Sequence, residues 1–155
     1  MSAEIPRLIN NGKISEAQSK LDWYFEVFGK ENFYLELQEH DIEELEQINK
    51  TLLDLGGRYK ANYLATNDVH YINREDASLQ DLLLAIQTGC LLKDPDRMRM
   101  SGSSFYLRSA DEMMRIFAEV PEAVTNSLLI AERCNVDLSF KGYHLPNFEV
   151  PAGND

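Results

Sequence analysis

The chain has 155 residues, and its 26 acidic against 15 basic side chains give a formal net charge of −11. This length suits one domain or a large piece of one, and the acidity argues against a nucleic-acid track on the segment itself. No apolar run approaches the roughly 18 residues of a membrane-spanning helix, and no secretory pattern opens the sequence. We therefore expect a cytoplasmic protein with no membrane partner. Cys90 and Cys134 stand alone, which favours buried thiols over a disulfide or a zinc ribbon.

The first predicted helix begins at Ser15-Glu16-Ala17-Gln18, where the pattern is that of a capping box. Gly29 is expected to end this helix in a left-handed conformation. Apolar side chains recur between them at helical spacing and predict a packing face: Ala17, Leu21, Tyr24, Phe25 and Phe28.

A strand–helix–strand unit is predicted next. Its first strand is Asn32-Phe33-Tyr34-Leu35-Glu36-Leu37, and its second contains Tyr63 to Ala65. Asp41 is expected to cap the intervening helix and Gly56-Gly57 to end it. The apolar face of that helix consists of Ile42, Leu45, Ile48, Leu52 and Leu53. In one sheet such a unit has parallel strands with a right-handed crossover, so both strand ends open on the same side.

The second half of the chain is predicted to be mostly helical. Helices are expected from about Arg74 to Thr88, from Ser109 to Phe117 with a capping box at Ser109-Ala110-Asp111-Glu112, and from Pro121 to about Arg133. The first has the apolar stripe Leu79, Leu82, Leu83 and Ile86; the last directs Val124, Leu128, Ala131 and Cys134 to the core. Residues 143–155 lack periodicity and are typical of a linker.

The most informative chemical pattern is Asp68-Val69-His70, directly after the second strand. On an extended backbone, side chains two positions apart point the same way, so one divalent metal could bind both. The alternative is that Asp68 caps a turn and His70 only hydrogen-bonds. The first strand delivers Glu36 near its carboxyl end, and His40 lies just beyond the strand, on the side where parallel α/β sheets collect their chemistry. These two are weaker candidates, and His40 could equally be a surface residue.

Lys93, Arg97 and Arg99 form a basic island in an acidic chain. They could meet a phosphate backbone or an acidic neighbouring domain. The interleaved Asp94 and Asp96, and the absence of aromatic residues, favour docking against protein. P-loop, GxGxxG, GxSxG and HExxH motifs are absent, so nucleotide-loop, serine-hydrolase and zincin functions lack support.

An ordered series of short motifs runs through the sequence. They are Glu4-Ile5-Pro6, residues 32–40, residues 65–71, Ile86-Gln87-Thr88-Gly89, residues 94–99, Phe105-Tyr106-Leu107, Pro121-Glu122-Ala123, residues 130–136 and Leu145-Pro146-Asn147-Phe148. In this order they closely resemble the polymerase-and-histidinol-phosphatase (PHP) domain of bacterial replicative DNA polymerase III alpha subunits. The resemblance covers essentially the whole chain.

The resemblance implies a partial α/β fold, namely the second half of a distorted (β/α) barrel-like PHP domain with parallel strands and crossover helices. Residues 1–142 would belong to that domain and residues 143–155 to the linker toward the polymerase palm. The family's early His-x-His motif and its other amino-terminal ligands have no counterpart here. Only Asp68 and His70 match metal ligands of the family, so we expect little specific metal affinity in the isolated chain.

For the parent protein the resemblance implies a magnesium-dependent, template-directed DNA polymerase of the replisome. Its implied partners are the remaining PHP and palm domains, a proofreading exonuclease subunit, the sliding clamp and DNA. Some family members carry a zinc- or manganese-dependent 3′–5′ exonuclease site in the PHP domain. Two alternatives are a scaffold segment that docks the proofreading subunit and a stand-alone phosphoesterase of the histidinol-phosphatase type. The motifs after His70 argue against the phosphoesterase.

Overall fold

A computed structural model describes residues 3–139, 142–143 and 145–146, so nearly all of the predicted linker 143–155 lies outside the described residues. The helices are α1 (Glu4–Asn10), α2 (Ile14–Phe28), α3 (Glu43–Tyr59), α4 (Ala77–Thr88), α5 (Ala110–Ile116) and α6 (Pro121–Arg133). The strands are β1 (Tyr34–Leu37) and β2 (Asn62–Ala65), and a 3-10 helix, Arg74–Asp76, precedes α4. Among these helices, none combines the length and the apolar composition that crossing a bilayer requires.

The two strands form a parallel pair joined through α3. Leu35 lies opposite Tyr63, and Leu37 lies opposite Ala65. The mixed α/β class and the predicted strand–helix–strand unit are therefore confirmed. The described residues contribute only these two strands to a sheet, which does not test the predicted barrel.

The main core lies on one face of the sheet. Leu35 and Leu37 alternate with the exposed Glu36, as the two-residue period of a strand requires. The buried side chains of α2 and α3 pack in the same cluster, as does Ala123 of α6; they include Ala17, Leu21, Ile48, Leu52 and Leu55. The packing face predicted for the first helix is thus confirmed at Ala17 and Leu21, whereas Phe28 is half exposed.

Helix α3 does not end at Gly56-Gly57, as the sequence predicts. It continues to Tyr59, and Lys60 takes the left-handed conformation that ends it. Gly56 is buried where α3 meets the sheet: a Cβ there would lie 2.5 Å from the Tyr63 hydroxyl and 2.7 Å from Leu35 Cδ1. The glycine is needed for close packing and not for a turn.

Of the three predicted amino-terminal helix caps, one is confirmed. Ser109 accepts a hydrogen bond from the Glu112 amide at 3.3 Å, and the Glu112 carboxylate accepts from the Ser109 amide at 2.8 Å. The capping box at Ser15 is wrong, because α2 begins one residue earlier and Lys13 holds the cap position without a side-chain bond. Asp41 is not a cap either: it has a φ of 53°, and Ile42 occupies the cap position of α3.

The apolar stripes predicted for α4 and α6 are only partly buried. On α4 the stripe is largely exposed, and we call these four residues the α4 apolar face: Leu79, Leu82, Leu83 and Ile86. On α6, Ala123 is buried and Val124 half-buried, but Leu128, Ala131 and Cys134 are exposed. Cys90 is half-buried and Cys134 is exposed, so the expectation that both thiols are buried is wrong at Cys134. A helical period locates an apolar face but does not say what covers it.

Candidate functional site

Residues 66–70, directly after β2, form an irregular loop and not an extended strand; we call this segment the Asp68–His70 turn. The Thr66 amide still donates to the Leu37 carbonyl at 3.0 Å, which carries the ladder one step past β2. Asp68 then takes a φ of 44°, in the left-handed region. The extended geometry expected for Asp68-Val69-His70 is therefore wrong, and a turn brings the two side chains together instead.

Asp68 and His70 face each other across this turn. The His70 Nδ1 atom lies 2.8 Å from the Asp68 carbonyl oxygen and 4.0 Å from the Asp68 Oδ1 atom. A carbonyl oxygen only accepts hydrogen bonds, so Nδ1 carries the proton. In the neutral imidazole this leaves the lone pair on Nε2, which is the arrangement that metal-binding histidines use. Both side chains are at least one-third exposed.

His40 is buried and is not the surface residue that the sequence left open. It is 2% exposed, and its ring stacks on Phe105 with the centroids 4.1 Å apart. Its Nδ1 atom lies 3.2 Å from the Ser104 hydroxyl, while its Nε2 atom is buried without a hydrogen-bond partner. Burial, and secondarily the positive charge of Arg108, lowers the pKa of His40, which favours a neutral ring.

Phe105 joins the two histidines. The His70 ring lies edge-on to Phe105 at 5.6 Å, and the His70 amide donates to the Phe105 carbonyl at 2.8 Å. An isolated parallel bridge between Tyr71 and Tyr106 extends this pairing. Sequence reasoning missed the role of residues 104–108, although the aromatic residues of Phe105-Tyr106-Leu107 are typical of a strand.

Arg108 fastens the residues around His40. Its guanidinium is almost fully buried and contacts the Glu39 carboxylate at 3.1 Å, while donating to the Glu39 carbonyl at 2.9 Å. The loop that follows β1 is thereby tied to the segment that contacts His70. Nothing in the local sequence marks this arginine, because its partner is distant along the chain.

Glu36 lies at the carboxyl end of β1 but belongs to a different hydrogen-bond group. Its Oε1 atom accepts from the Thr66 hydroxyl at 2.6 Å, and that hydroxyl accepts from the Gln38 amide at 3.0 Å. Glu36 thus connects β1 to the start of the turn that carries Asp68. Glu36 lies within β1, His40 follows β1, and Asp68 and His70 follow β2, as predicted, but the structure does not bring all four into one ligand set.

The residues present supply only part of a metal site. Catalytic zinc centres use three protein ligands and keep a fourth position for water. Across the described part of the chain, no three His, Cys, Asp or Glu side chains are grouped so that they could hold a metal ion. Asp68 and His70 supply one oxygen and one nitrogen donor, which are donor types that zinc and manganese accept, but not a complete ligand set.

The three residues of the basic island have different surroundings. Arg97 makes a bidentate ion pair with Asp81 of α4, its side chain is 3% exposed, and it also donates to the Leu92 carbonyl at 3.2 Å. This hydrogen bonding lowers the pKa of Asp81. Arg97 is consequently not free to dock a partner. Lys93 and Arg99 are exposed, and Arg99 donates to the Asp94 carbonyl at 3.3 Å.

Comparison with known proteins identifies relatives over nearly the whole chain. The DNA polymerase III alpha subunit of Borreliella burgdorferi is 38% identical over 149 residues, which is 96% of this chain. The alpha subunits of Treponema pallidum and Thermus aquaticus are 35% and 34% identical over 97% and 99% of it. The chain is homologous to one segment of the DNA polymerase III alpha subunit.

The chain spans 13% of the length of each of these three alpha subunits. No protein-family model matches it. The relatedness to alpha subunits therefore rests on the pairwise similarity, which extends across both strands and the Asp68–His70 turn.

Proposed function

We propose that this chain is the second half of the PHP domain of a replicative alpha subunit that synthesises DNA on a template. The observation that carries the proposal is its similarity to three alpha subunits over 96 to 99% of its length. Because the chain spans 13% of those proteins, the magnesium-dependent polymerase chemistry would belong to other domains. The remaining PHP and palm domains are its proposed covalent partners, and the sliding clamp and DNA its functional ones.

Asp68 and His70 are the proposed contribution of this segment to a PHP metal site. The support is their proximity after β2 and the hydrogen bond from His70 Nδ1 to the Asp68 carbonyl, which leaves the lone pair of a neutral His70 on Nε2, the atom that could bind a metal. The other ligands would come from the remainder of the PHP domain. A zinc or manganese ion bound there would supply an acidified water and neutralise phosphate charge, as a 3′–5′ exonuclease requires.

A non-catalytic scaffold that docks the proofreading subunit is the second candidate. Its specific support is the packing around His40, where an aromatic stack with Phe105 and the Arg108–Glu39 ion pair hold the segments after β1 and β2 together. If an alpha subunit with both Asp68 and His70 replaced keeps its partner binding, and no metal is detected in the parent, the scaffold role is the correct one.

The polymerase assignment is tested with the full-length protein that contains this segment. Primer extension on a DNA template should require all four nucleotides and magnesium, and a template-free control should give no ordered product. Failure of the purified, folded protein to extend a primer would refute the assignment, whatever its metal content.

A further inference from the structure

Two contacts orient the His70 ring. Its Nδ1 atom donates to the Asp68 carbonyl oxygen at 2.8 Å, and its edge faces the Phe105 ring with the centroids 5.6 Å apart. The His70 side chain is 35% exposed, so the surrounding residues do not enclose it. A histidine that binds a metal ion must hold its free nitrogen in one direction. Phe105 therefore limits the directions that His70 Nε2 can take.

The backbone around His70 is held by bonds that do not involve the Phe105 ring. The His70 amide donates to the Phe105 carbonyl at 2.8 Å. The Leu107 amide donates to the Tyr71 carbonyl at 3.0 Å. Loss of an aromatic contact would leave these main-chain bonds in place. The orientation of the His70 ring can therefore be tested separately from the position of its backbone.

The Phe105 ring is in turn held by His40. The two rings are nearly parallel, with the centroids 4.1 Å apart, and both residues are buried. His40 is itself anchored, because its Nδ1 atom lies 3.2 Å from the hydroxyl oxygen of the buried Ser104. Side chains packed in this way keep one rotamer. A substitution at His40 would therefore change the orientation of His70 through Phe105.

We propose that His40 is a positioning residue for the candidate metal site: it holds the Phe105 ring, and Phe105 orients the His70 ring for a metal ion. The inference rests on the proposed role of Asp68 and His70 as metal ligands. Among the described residues, His40 does not complete a group of three potential ligands with them, so its contribution is indirect. Replacing residues that orient metal-binding histidines costs about 10- to 100-fold in metal affinity.

The zinc affinity of the full-length alpha subunit tests this role. Competition with a chromophoric chelator gives the zinc dissociation constant of the parent, of His40→Ala and of His40→Phe, and circular dichroism checks that each is folded. We expect His40→Ala to weaken zinc binding by about 10- to 100-fold. His40→Phe keeps a ring against Phe105, so its zinc affinity should stay within about threefold of the parent value.

Two further variants separate orientation from general stability. Phe105→Leu keeps an apolar side chain but removes the planar ring, so it should weaken zinc binding as His40→Ala does. Gly56→Ala is the control: its Cβ would lie 2.5 Å from the hydroxyl of Tyr63, which belongs to the main core, so it should lower stability without changing zinc affinity. The visible spectrum of bound cobalt(II), which reports ligand geometry, should change in Phe105→Leu and not in Gly56→Ala.

Parent-level zinc affinity in folded His40→Ala, or in Phe105→Leu, would overturn the proposal. Equal weakening in His40→Phe and His40→Ala would also overturn it, because an imidazole nitrogen and not the stack would then be responsible. Weakening of the same size in Gly56→Ala would assign the effect to lost stability. A parent that binds no zinc would refute the proposed metal site together with this inference, whereas a zinc-binding parent with unaffected variants refutes the inference alone.

Discussion

The His40 ring lies parallel to the Phe105 ring, with the centroids 4.1 Å apart and the planes 11° from each other. Phe105 in turn contacts His70 through both its ring and its carbonyl group. One aromatic side chain therefore connects the loop after β1 to the turn that carries the candidate metal ligands. The stack positions that turn without itself requiring a bound metal.

His40→Ala should destabilise the chain through loss of this stack. Removing a buried ring leaves a cavity, and we expect the free energy of unfolding to fall by about 2–4 kcal/mol. His40→Phe keeps a ring against Phe105 but leaves the buried Ser104 hydroxyl without its partner, at a cost of about 1 kcal/mol. Urea denaturation followed by circular dichroism measures both; equal losses would show that stacking contributes nothing.

The glycine pair in α3 offers a matched comparison. Gly56→Ala should destabilise the protein by about 1–3 kcal/mol, because its Cβ would overlap Tyr63 and Leu35. At Gly57 a Cβ meets nothing within 4 Å, so Gly57→Ala should stabilise the helix by up to about 1 kcal/mol. Thermal unfolding measures the stability of both variants. Stability changes of the same sign would contradict the close packing of Gly56 against Tyr63 and Leu35.

The Glu112 carboxylate should titrate far below its usual range. The Tyr106 hydroxyl at 2.7 Å, followed by the amide and hydroxyl of Ser109, lowers the pKa of Glu112 from 4.5 to about 2. Because the folded pKa is depressed, the stabilisation is complete above about pH 4.5 and is lost as the pH falls toward 2.

Carboxyl-carbon NMR of Glu112 as a function of pH measures this shift. Tyr106→Phe removes the strongest contribution and should raise the pKa toward 4.5, while Tyr34→Phe, which alters a tyrosine outside this group, should leave it unchanged. An ordinary Glu112 titration in the unmodified protein would be incompatible with the observed hydrogen bonds.

Arg97 should act locally on α4 and its following loop. Arg97→Met removes the ion pair with Asp81 and the hydrogen bond to the Leu92 carbonyl. We expect faster amide exchange over residues 77–100, with little change in the strands. Lys93→Met alters an exposed cation of the same loop and serves as the control. If the amide exchange rates of Arg97→Met and Lys93→Met are the same, the ion pair does not have the proposed role.

The elements that depend on local patterns could be predicted from the sequence. Alternation and helical spacing identify β1, α3 and β2, and the Ser109 capping box involves residues only three positions apart. The predicted end of α3 failed because contacts outside the helix decide it. Gly56 suggests a helix end locally, but Tyr63 and Leu35 require a glycine there, and the helix continues.

The same distinction between local patterns and distant contacts applies to the candidate site. The pair Asp68 and His70 is visible in the sequence because both residues lie in one short turn. The burial of His40 depends on Ser104 and Phe105, and the burial of Arg108 on Glu39, contacts that no helical or strand period encodes. The exposure of the α4 apolar face could not be predicted either, because helical spacing identifies an apolar face but not the element that covers it.

The proposed metal site within an alpha subunit requires the contribution of Asp68 and His70. Its most direct test is the zinc and manganese content, by mass spectrometry, of the full-length subunit and of its Asp68→Ala, His70→Ala double variant. A Glu43→Ala, Glu46→Ala variant, which removes two acidic residues from the first turn of α3, is the control. The account predicts bound metal in the parent and control and loss of most of it in the double variant. Parent-level metal in the double variant, or no metal in the parent, would contradict it.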